Sequence, residues 1–356
     1  MNIVFDNIVF SLQKTGGISV VWQELVSRFL EAGNNKITCI EHPKDIKNIF
    51  RKMLFIPAEC IKKVNPRLLS VSRYLPVRYS CNEPFIFHSS YFRICSNKKA
   101  INVTTIHDFT YDYFYKGKRR GAFLHIWQRN YAIKSSDAVV CISENTRKDL
   151  LKFVPGTDPE KLYVINNGVS SDYHSIKEKR EELKDCLLFV GQRIAYKNGV
   201  FFIDAIKDTN YKVVFCGVPL TAGEKKMLNE KLGEGRYVSY SGLANEELNV
   251  IYNSCKCLVY PSSYEGFGIP VLEAQAAGCP VIAYNASSIP EVIGSDKTLL
   301  MEELTKEELL QKISLLDDEE IRSRVVSAGL ENAKKYSWDV IYKQYDKLYW
   351  RLLSLK

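Results

Sequence analysis

The chain contains two successive series of short apolar runs that alternate with helix-like segments, and a polar stretch at residues 170–184 separates the two series. Short runs rich in Val, Ile, Leu and Phe, each followed by a turn and a helix, are typical of parallel strands with helices on both faces. A chain of 356 residues also exceeds what one hydrophobic core usually supports. The alternation therefore predicts an α/β protein with two doubly wound, Rossmann-like domains facing each other across a cleft.

The polar stretch and the end of the chain set the predicted domain boundaries. We expect a first domain over residues 1–170, a linker over 171–185 and a second domain over 186–337. The last segment, 338–356, carries apolar side chains at helical spacing, namely Trp338, Ile341, Tyr345, Leu348 and Leu352. This spacing predicts an amphipathic terminal helix whose apolar stripe serves packing rather than binding, and we expect the helix to pack on the first domain.

Basic residues outnumber acidic ones by 49 to 41, and the excess is uneven. Between residues 47 and 78 the only acid is Glu59, and the cations are Lys47, Arg51, Lys52, Lys62, Lys63, Arg67, Arg73 and Arg78. A second basic cluster comprises Lys116, Lys118, Arg119 and Arg120. The first region is interleaved with Met53, Leu54, Phe55, Ile56, Leu68, Leu69 and Tyr74. Two interpretations remain open: a solvated face, or a patch that meets an anionic membrane surface.

The cysteines and the start of the chain bear on the compartment. Most of the ten cysteines lie inside apolar runs, and Cys255-x-Cys257 lacks a second pair at zinc spacing, so no metal site is expected. MNIVFDNIVF has no basic leader region or cleavage site, and no window of 18 consecutive apolar residues occurs. We expect a cytoplasmic protein, free or peripheral on the inner face of the membrane, with no nucleic-acid partner.

Two cations follow the predicted strand at residues 187–190. Arg193 and Lys197 stand in the segment GQRIAYKN, just before the next helix, and ligands of parallel α/β sheets bind beyond the carboxyl ends of the strands. A pyrophosphate between the two cations would accept charge-assisted hydrogen bonds from both and gain the positive end of the helix dipole. The alternative is two surface cations, although cations are unfavourable at that end of a helix unless an anion offsets them.

A glycine-rich turn, YEGFGIPVLE, follows the predicted strand at residues 257–260. Gly266 and Gly268 permit positive φ and close approach of a ligand to the backbone. We expect free backbone N–H groups suited to phosphate oxygens at the helix start, at Gly268, Ile269, Val271 and Leu272.

The same segment holds two carboxylates. Glu273 lies in the first turns of the predicted helix, where it can accept hydrogen bonds from two ribose hydroxyls. Glu265 lies on the preceding loop, where it can meet a sugar hydroxyl or developing positive charge. The alternative makes Glu273 a helix-start carboxylate and Glu265 a surface acid.

The first series offers two further candidates. His107 ends the predicted strand at residues 101–106, and although a single histidine is often a satisfied core group, this position favours contact with a sugar. Gly17, in TGGIS after the first strand, offers backbone to phosphate or sugar; a plain turn is the alternative for a lone Gly-Gly.

In these motifs the chain resembles the family 4 (group 1) retaining glycosyltransferases of the GT-B fold, and is similar to those that build bacterial surface polysaccharides. The resemblance rests on Glu265-x7-Glu273 within YEGFGIPVLEAQAAGCPVIA and on the Arg193 and Lys197 pair. Looser matches are TGGIS, IHD, VVCISENTRKDLL and VINNGVSSDY. The likeness is strong in the second domain and weaker over residues 43–125, where acceptor-binding segments of such enzymes differ most.

The resemblance implies a role for each candidate. Arg193 and Lys197 would hold the donor diphosphate and stabilise the leaving nucleoside diphosphate, and Glu273 would hold the ribose. Glu265 would meet the donor sugar. Further contacts would come from the backbone of Gly266, Phe267, Gly268, Ile269, Val271 and Leu272, from Gly217 and Gly242 near the base, and from His107 and Gly17 of the first domain.

The resemblance also implies the reaction. A hexose-type sugar would pass from a nucleoside-diphosphate sugar to a saccharide or polyprenyl-linked acceptor with retention of anomeric configuration. No metal or other cofactor is expected, because cations and a helix dipole replace it. Two alternatives remain open: a noncatalytic nucleotide-sugar-binding relative, and a GT-B-fold sugar-nucleotide epimerase or phosphorylase.

Overall fold

The structure, a computed structural model, describes residues 1–42, 47–64, 69–118 and 121–356. Four members of the predicted basic regions, Arg67, Leu68, Arg119 and Arg120, lie outside these residues. The chain divides into two compact units. The first comprises Met1–Gly168 with Trp338–Lys356, and the second comprises Val169–Ser337.

The first unit is built on a seven-stranded sheet in which every neighbouring pair is parallel. Its strands are β1 (Asn2–Asp6), β2 (Lys36–Glu41), β3 (Ile61–Lys63), β4 (Phe85–Ser89), β5 (Ala100–Ile106), β6 (Ala138–Cys141) and β7 (Leu162–Val164). Its helices before the second unit are α1 (Val9–Leu12), α2 (Gly17–Glu31), α3 (Ile49–Met53), α4 (Leu69–Ser72), α5 (Ala122–Ser135) and α6 (Glu144–Phe153). A π-helical turn spans Tyr111–Tyr115.

The strand order of this sheet, β3-β2-β1-β4-β5-β6-β7, reverses beside β1. Central strands buried on both faces are mostly apolar: Ile3, Val4 and Phe5 of β1 are fully buried, and so is the polar Asp6 at its end. The reversal creates a topological switch point at the carboxyl ends of β1 and β4, which is where sheets of this type bind ligands.

The second unit contains a six-stranded parallel sheet with the order β10-β9-β8-β11-β12-β13. Its strands are β8 (Cys186–Val190), β9 (Lys212–Gly217), β10 (Tyr237–Ser241), β11 (Cys257–Tyr260), β12 (Val281–Tyr284) and β13 (Leu300–Met301). Its helices are α7 (Gly199–Ile206), α8 (Ala222–Leu232), α9 (Asn245–Ser254), α10 (Ile269–Ala276), α11 (Ile289–Val292), α12 (Lys306–Ser314) and α13 (Glu319–Lys334). The switch point lies between β8 and β11.

The last helix, α14 (Trp338–Ser354), belongs to the first unit. The Tyr349 ring stacks on Phe29 of α2 with centroids 5.2 Å apart, and its hydroxyl lies 2.6 Å from His88 Nδ1 of β4. The predicted fold class is therefore confirmed: two doubly wound α/β domains, with the terminal helix returning to the first.

The segment predicted as a linker, residues 171–185, is part of the second unit. Side chains of α9 accept hydrogen bonds from its backbone: Asn249 from His174 (3.1 Å), Asn253 from Ile176 (3.0 Å) and Ser254 from Arg180 (2.9 Å). Its polar composition, which predicted a linker, reflects an extended surface strap held by amide and hydroxyl side chains.

The basic region at residues 47–78 is not one uniform surface. Arg51 pairs with the Glu41 carboxylate, and Leu54 and Ile56 are buried, whereas Met53 and Phe55 are exposed. Within the described parts of the chain, no helix combines the length and apolar character needed to cross a membrane.

Candidate active site

The loops that follow β8 and β11 meet at the switch point of the second sheet. Asn198, with a φ of +53°, donates hydrogen bonds to the Pro261 carbonyl (2.8 Å) and the Ser263 hydroxyl (2.7 Å). The Ser263 N–H in turn donates to the Tyr196 carbonyl over 2.8 Å. These cross-links fix the Arg193–Lys197 loop against the glycine turn, although the two segments are far apart in sequence.

Lys197 and Glu265 form an ion pair with 2.7 Å between Nζ and the carboxylate. Both side chains are mostly buried, and the Tyr260 hydroxyl lies 3.4 Å from the same ammonium. The Ser287 hydroxyl accepts a hydrogen bond from the Glu265 N–H over 2.8 Å, and the Ser288 hydroxyl donates to the Glu265 carbonyl over 2.9 Å. The loop after β12 thus holds the Glu265 backbone in place.

Arg193 pairs with a different carboxylate, that of Glu224. Its guanidinium donates to Glu224 of α8 over 2.6 Å and to the carbonyls of Val218 (2.9 Å) and Pro219 (3.1 Å). The Arg193 guanidinium lowers the pKa of Glu224 to about 2. The predicted cationic pair is therefore divided here: Lys197 pairs with Glu265, and Arg193 pairs with Glu224.

The glycine turn leads into α10 as its sequence predicts. Gly268 has a φ of +107°, and a Cβ at this position would lie 2.8 Å from Ile289 Cδ1, so a larger residue does not fit. Gly266, Phe267 and Ile269 form the turn and the first helical residue around it. One prediction is wrong: the Val271 N–H donates to the Gly268 carbonyl over 3.0 Å and is not free for phosphate. Leu272 follows it in the buried first turn.

Glu273 lies one turn into α10 and accepts a hydrogen bond from the Tyr252 hydroxyl of α9 over 2.9 Å. The Tyr173 hydroxyl faces the same carboxylate, and the two tyrosine rings meet edge to face with centroids 5.9 Å apart. Burial raises the pKa of Glu273 to about 7, which the tyrosine hydrogen bonds partly oppose. This carboxylate therefore changes charge near neutral pH.

Two glycines lie at neighbouring strand ends on the same edge. Gly217 ends β9 with a φ of +132°, and a Cβ there would stand 3.1 Å from the Gly191 carbonyl, so the strand ends approach closely. Gly242 follows β10 with a φ of +68°. Both positions leave open backbone on the side where a base is expected.

His107 and Gly17 belong to the first unit and are described within it. His107 follows β5 and is partly exposed, and burial lowers the pKa of its imidazole to about 4, so it is neutral at pH 7. Gly17 opens α2, and its backbone is exposed, since nothing stands within 4 Å of where a Cβ would be.

Sequence reasoning missed the residues that position the predicted ones: Glu224, Tyr252, Tyr173, Ser287 and Ser288. A capping-box pattern, Thr221 with Glu224, marks only a helix start and does not reveal the Arg193 partner. Among the described residues, no group of three or more His, Cys, Asp or Glu side chains is arranged to hold a metal ion.

Comparison with known proteins gives two family matches. Residues 171–332 match the model described as glycosyl transferases group 1, and residues 15–173 match that of glycosyltransferase family 4. Together they run from residue 15 to residue 332. The chain belongs to the family 4 (group 1) glycosyltransferases. The family that the two glutamates and two cations predict is therefore confirmed.

Individual relatives are distant. The D-inositol 3-phosphate glycosyltransferase of Corynebacterium glutamicum is 26% identical over 61% of this chain, and the match spans 58% of that relative's length. Sucrose-phosphate synthase from Thermosynechococcus elongatus superposes with a TM-score of 0.77 at 16% identity, covering 100% of both chains. Anabaena HepE in complex with UDP and glucose superposes with a TM-score of 0.73 at 13% identity, covering 98% of this chain and 99% of its own. At such identities these structures establish the GT-B fold.

Proposed function

We propose that this protein is a retaining glycosyltransferase that moves a hexose-type sugar from a nucleoside-diphosphate sugar to a saccharide or lipid-linked acceptor in surface-polysaccharide synthesis. The observation that carries the proposal is the contact between Lys197 and Glu265 at the switch point of the second sheet, beside the start of α10. A cation, a carboxylate and a helix N-terminus at one strand end suit a sugar joined to phosphate.

The chemistry follows from the charges at this edge. As the bond between the sugar and the phosphate breaks, negative charge grows on the diphosphate and positive charge on the sugar ring. Lys197, Arg193 and the start of α10 would stabilise the first, because preorganised charges aimed at a leaving group lower the barrier. Phosphate oxygens would replace Glu265 as the partner of Lys197, which leaves the Glu265 carboxylate facing the sugar.

The nucleoside would lie along the neighbouring strand ends. Glu273 would accept hydrogen bonds from the ribose hydroxyls, and the base would lie near Gly217 and Gly242. We further propose that the two cations and the helix dipole take the place of a metal ion. His107 and Gly17 would contribute from the first unit. Because Anabaena HepE, a structural neighbour, is described with UDP and glucose, UDP-glucose is the first donor to assay.

The partners and the compartment are part of the same proposal. A polyprenyl-linked acceptor would lie in a membrane, so we propose that the protein works in the cytoplasm at an anionic inner membrane surface. A noncatalytic nucleotide-sugar-binding protein or a sugar-nucleotide epimerase is the alternative. The separate charge partners of Lys197 and Arg193, each a carboxylate that phosphate can replace, favour transfer over simple storage of a ligand.

The test is a donor panel. Purified protein is incubated with UDP-, GDP- and ADP-sugars, with and without saccharide and polyprenyl-phosphate acceptors, and release of nucleoside diphosphate is measured. One donor should give acceptor-dependent release that persists in EDTA. Binding without release would favour the noncatalytic alternative, and isomerised donor without release would favour the epimerase. A thermal-shift panel of UDP, GDP and ADP identifies the base, since a tight ligand raises the Tm.

A further inference from the structure

The helix α5 has an inverted polarity. A helix on the surface of a water-soluble protein normally buries its apolar side chains and exposes its polar ones. In α5 the buried side includes Gln128 and Arg129, whereas every exposed position between Ala122 and Ile133 is apolar or aromatic: Phe123, Leu124, Trp127 and Tyr131.

The polar groups on the inner side have partners within the fold, apart from the Gln128 Oε1 atom. Arg129 pairs with Asp112 over 2.5 Å, and its guanidinium lies 4.1 Å from the Phe109 ring centroid. Gln128 donates to the Arg73 carbonyl over 2.5 Å. The buried charge of Arg129 is therefore compensated within the fold, since a buried charge is tolerated only when it is paired and hydrogen-bonded.

The outer side has no such explanation within the described chain. Phe123 is 76% exposed, Leu124 47%, Trp127 46% and Tyr131 40%. A contiguous apolar face of this kind indicates an interaction site.

The charges around this face fit a bilayer. Lys116 and Lys118 precede the helix and Lys134 lies in its last turn, and all three are exposed. Trp and Tyr above apolar side chains, flanked by lysines, are the composition of helices that lie in the membrane interface. A second copy of this chain fits less well, because a symmetric contact between two such faces would bring the lysines of both copies together.

We propose that the outer face of α5 binds an anionic lipid bilayer, with the helix lying in the plane of the interface. Its 14 residues give a length of about 21 Å, enough to seat Phe123, Leu124, Trp127 and Tyr131 among the lipid chains while the lysines meet the headgroups. The purpose of such binding rests on the proposed function, because it would bring the enzyme to a lipid-linked acceptor. The binding itself requires no substrate.

The test uses the full chain and vesicles without substrate. Co-sedimentation is measured with phosphatidylcholine vesicles and with vesicles that also contain phosphatidylglycerol, at low and high salt. The wild type should bind the anionic vesicles, and Phe123→Ser/Trp127→Ser should bind at least about tenfold more weakly at either salt concentration. Lys116→Glu/Lys118→Glu should weaken binding mainly at low salt. Trp350→Ser on α14, where Trp350 is 53% exposed, is the matched control and should bind normally.

Three outcomes would overturn the proposal: no binding by the wild type, equal binding by Phe123→Ser/Trp127→Ser, or a dimer in light scattering that this variant abolishes while vesicles are ignored. Circular dichroism of each variant excludes loss of folding. Donor turnover with a soluble acceptor is measured separately, so that a failure of the proposed enzyme activity is distinguishable from a failure of membrane binding.

Discussion

The carboxyl ends of the two parallel sheets are built from the same kinds of residue and use them differently. In the first unit, Asp6 at the end of β1 is fully buried, accepting from Ser89 (2.8 Å) and Arg93 (3.4 Å), and Arg93 lies 3.1 Å from the His42 ring. In the second unit, Lys197 pairs with Glu265 and also lies 3.4 Å from the Tyr260 hydroxyl, on loops around a glycine turn.

The difference shows that the same sheet architecture can carry a stabilising network in one unit and a candidate ligand site in the other. The charges of the first edge are held by several partners each, so they stabilise the fold and are not available to a ligand. Each cation of the second edge has one carboxylate that an incoming phosphate can replace. Strand-end position therefore indicates where a ligand can bind, and we propose that a phosphate displaces the partly exposed pairs of the second edge rather than the fully buried network of the first.

Removing a charge from the buried network of the first unit should have the largest effect, and the effect should be on stability. Asp6→Ala leaves the buried Arg93 guanidinium without its carboxylate, which should lower the free energy of unfolding of the first unit by about 3–5 kcal/mol. All four tryptophans, Trp22, Trp127, Trp338 and Trp350, lie in that unit, so their emission in a urea titration reports on it alone.

The matched control is Asp339→Asn, which removes an exposed partner of Arg28 and should cost less than about 1 kcal/mol. If Asp6→Ala costs no more than this control, the first edge is not the stabilising network described above.

Breaking the second edge should affect turnover instead. Lys197→Ala should reduce the rate of nucleoside diphosphate release by about 10²-fold, because the proposed mechanism uses this charge to stabilise the leaving group. Lys256→Ala, which removes a similarly buried lysine paired with Asp317 over 2.5 Å, should leave the rate unchanged. Equal rates in the two variants would refute a catalytic role for Lys197.

The raised pKa of Glu273 predicts that UDP binding to the second unit depends on pH. With a pKa of about 7, the Glu273 carboxylate forms only as the pH rises through 7. If it accepts ribose hydrogen bonds as we propose, the Kd of UDP should fall by several-fold to tenfold between pH 6 and pH 8. UDP itself titrates in this range, so 2′,3′-dideoxy-UDP is the control. A pH dependence shared by both nucleotides would contradict the assignment.

The same pKa shift should make the folded state less stable as the pH rises, whereas it should make UDP binding tighter. The pKa of Glu273 is raised from 4.5 to about 7 on folding, so its contribution is fully present below pH 4.5 and is lost as the pH rises through 7. Glu273→Gln should therefore stabilise the second unit at pH 8, by roughly 1 to 3 kcal/mol, and much less at pH 5, as measured by circular dichroism. A destabilised variant at pH 8 would contradict the burial of this charge.

The smallest effect should come from Tyr252→Phe. Its hydroxyl donates to Glu273 and lowers the pKa of that carboxyl, so removing it should move the midpoint of the UDP pH profile upward. At pH 7 the change in Kd should be only two- to fivefold. Phe retains the ring packing against Tyr173, so an unchanged midpoint would show that Tyr252 is structural.

Much of the fold could be predicted because strands buried on both faces contain continuous apolar runs, as in residues 3–5 of β1 and in β8. Elements without such a continuous apolar run were not predicted. The strand β3 is short and largely exposed, and the helices α12 and α13 lie beyond the last sequence motif. The strand-end positions of the candidate residues could also be predicted. The contact between Lys197 and Glu265 depends on β8 and β11 being neighbours, and local sequence does not encode sheet order.

The linker and the free Val271 N–H were mispredicted for related reasons. Polar composition at residues 171–185 does not show that asparagines on α9 will hold the strap. An N–H group at a helix start is free only if no preceding carbonyl accepts a hydrogen bond from it. Here the Gly268 carbonyl accepts one from the Val271 N–H. Likewise, Tyr252 looks like a core aromatic until Glu273 is placed beside its hydroxyl.

The return of α14 to the first unit has a consequence for synthesis of the chain. The second unit is an insertion, since the first is interrupted at Gly168 and completed only from Trp338 onward. On a ribosome, residues 169–337 emerge whole before the helix that covers Phe29 and His88 exists. The second unit can therefore finish folding first, and the first must wait with that surface uncovered until the last residues of α14 leave the exit tunnel.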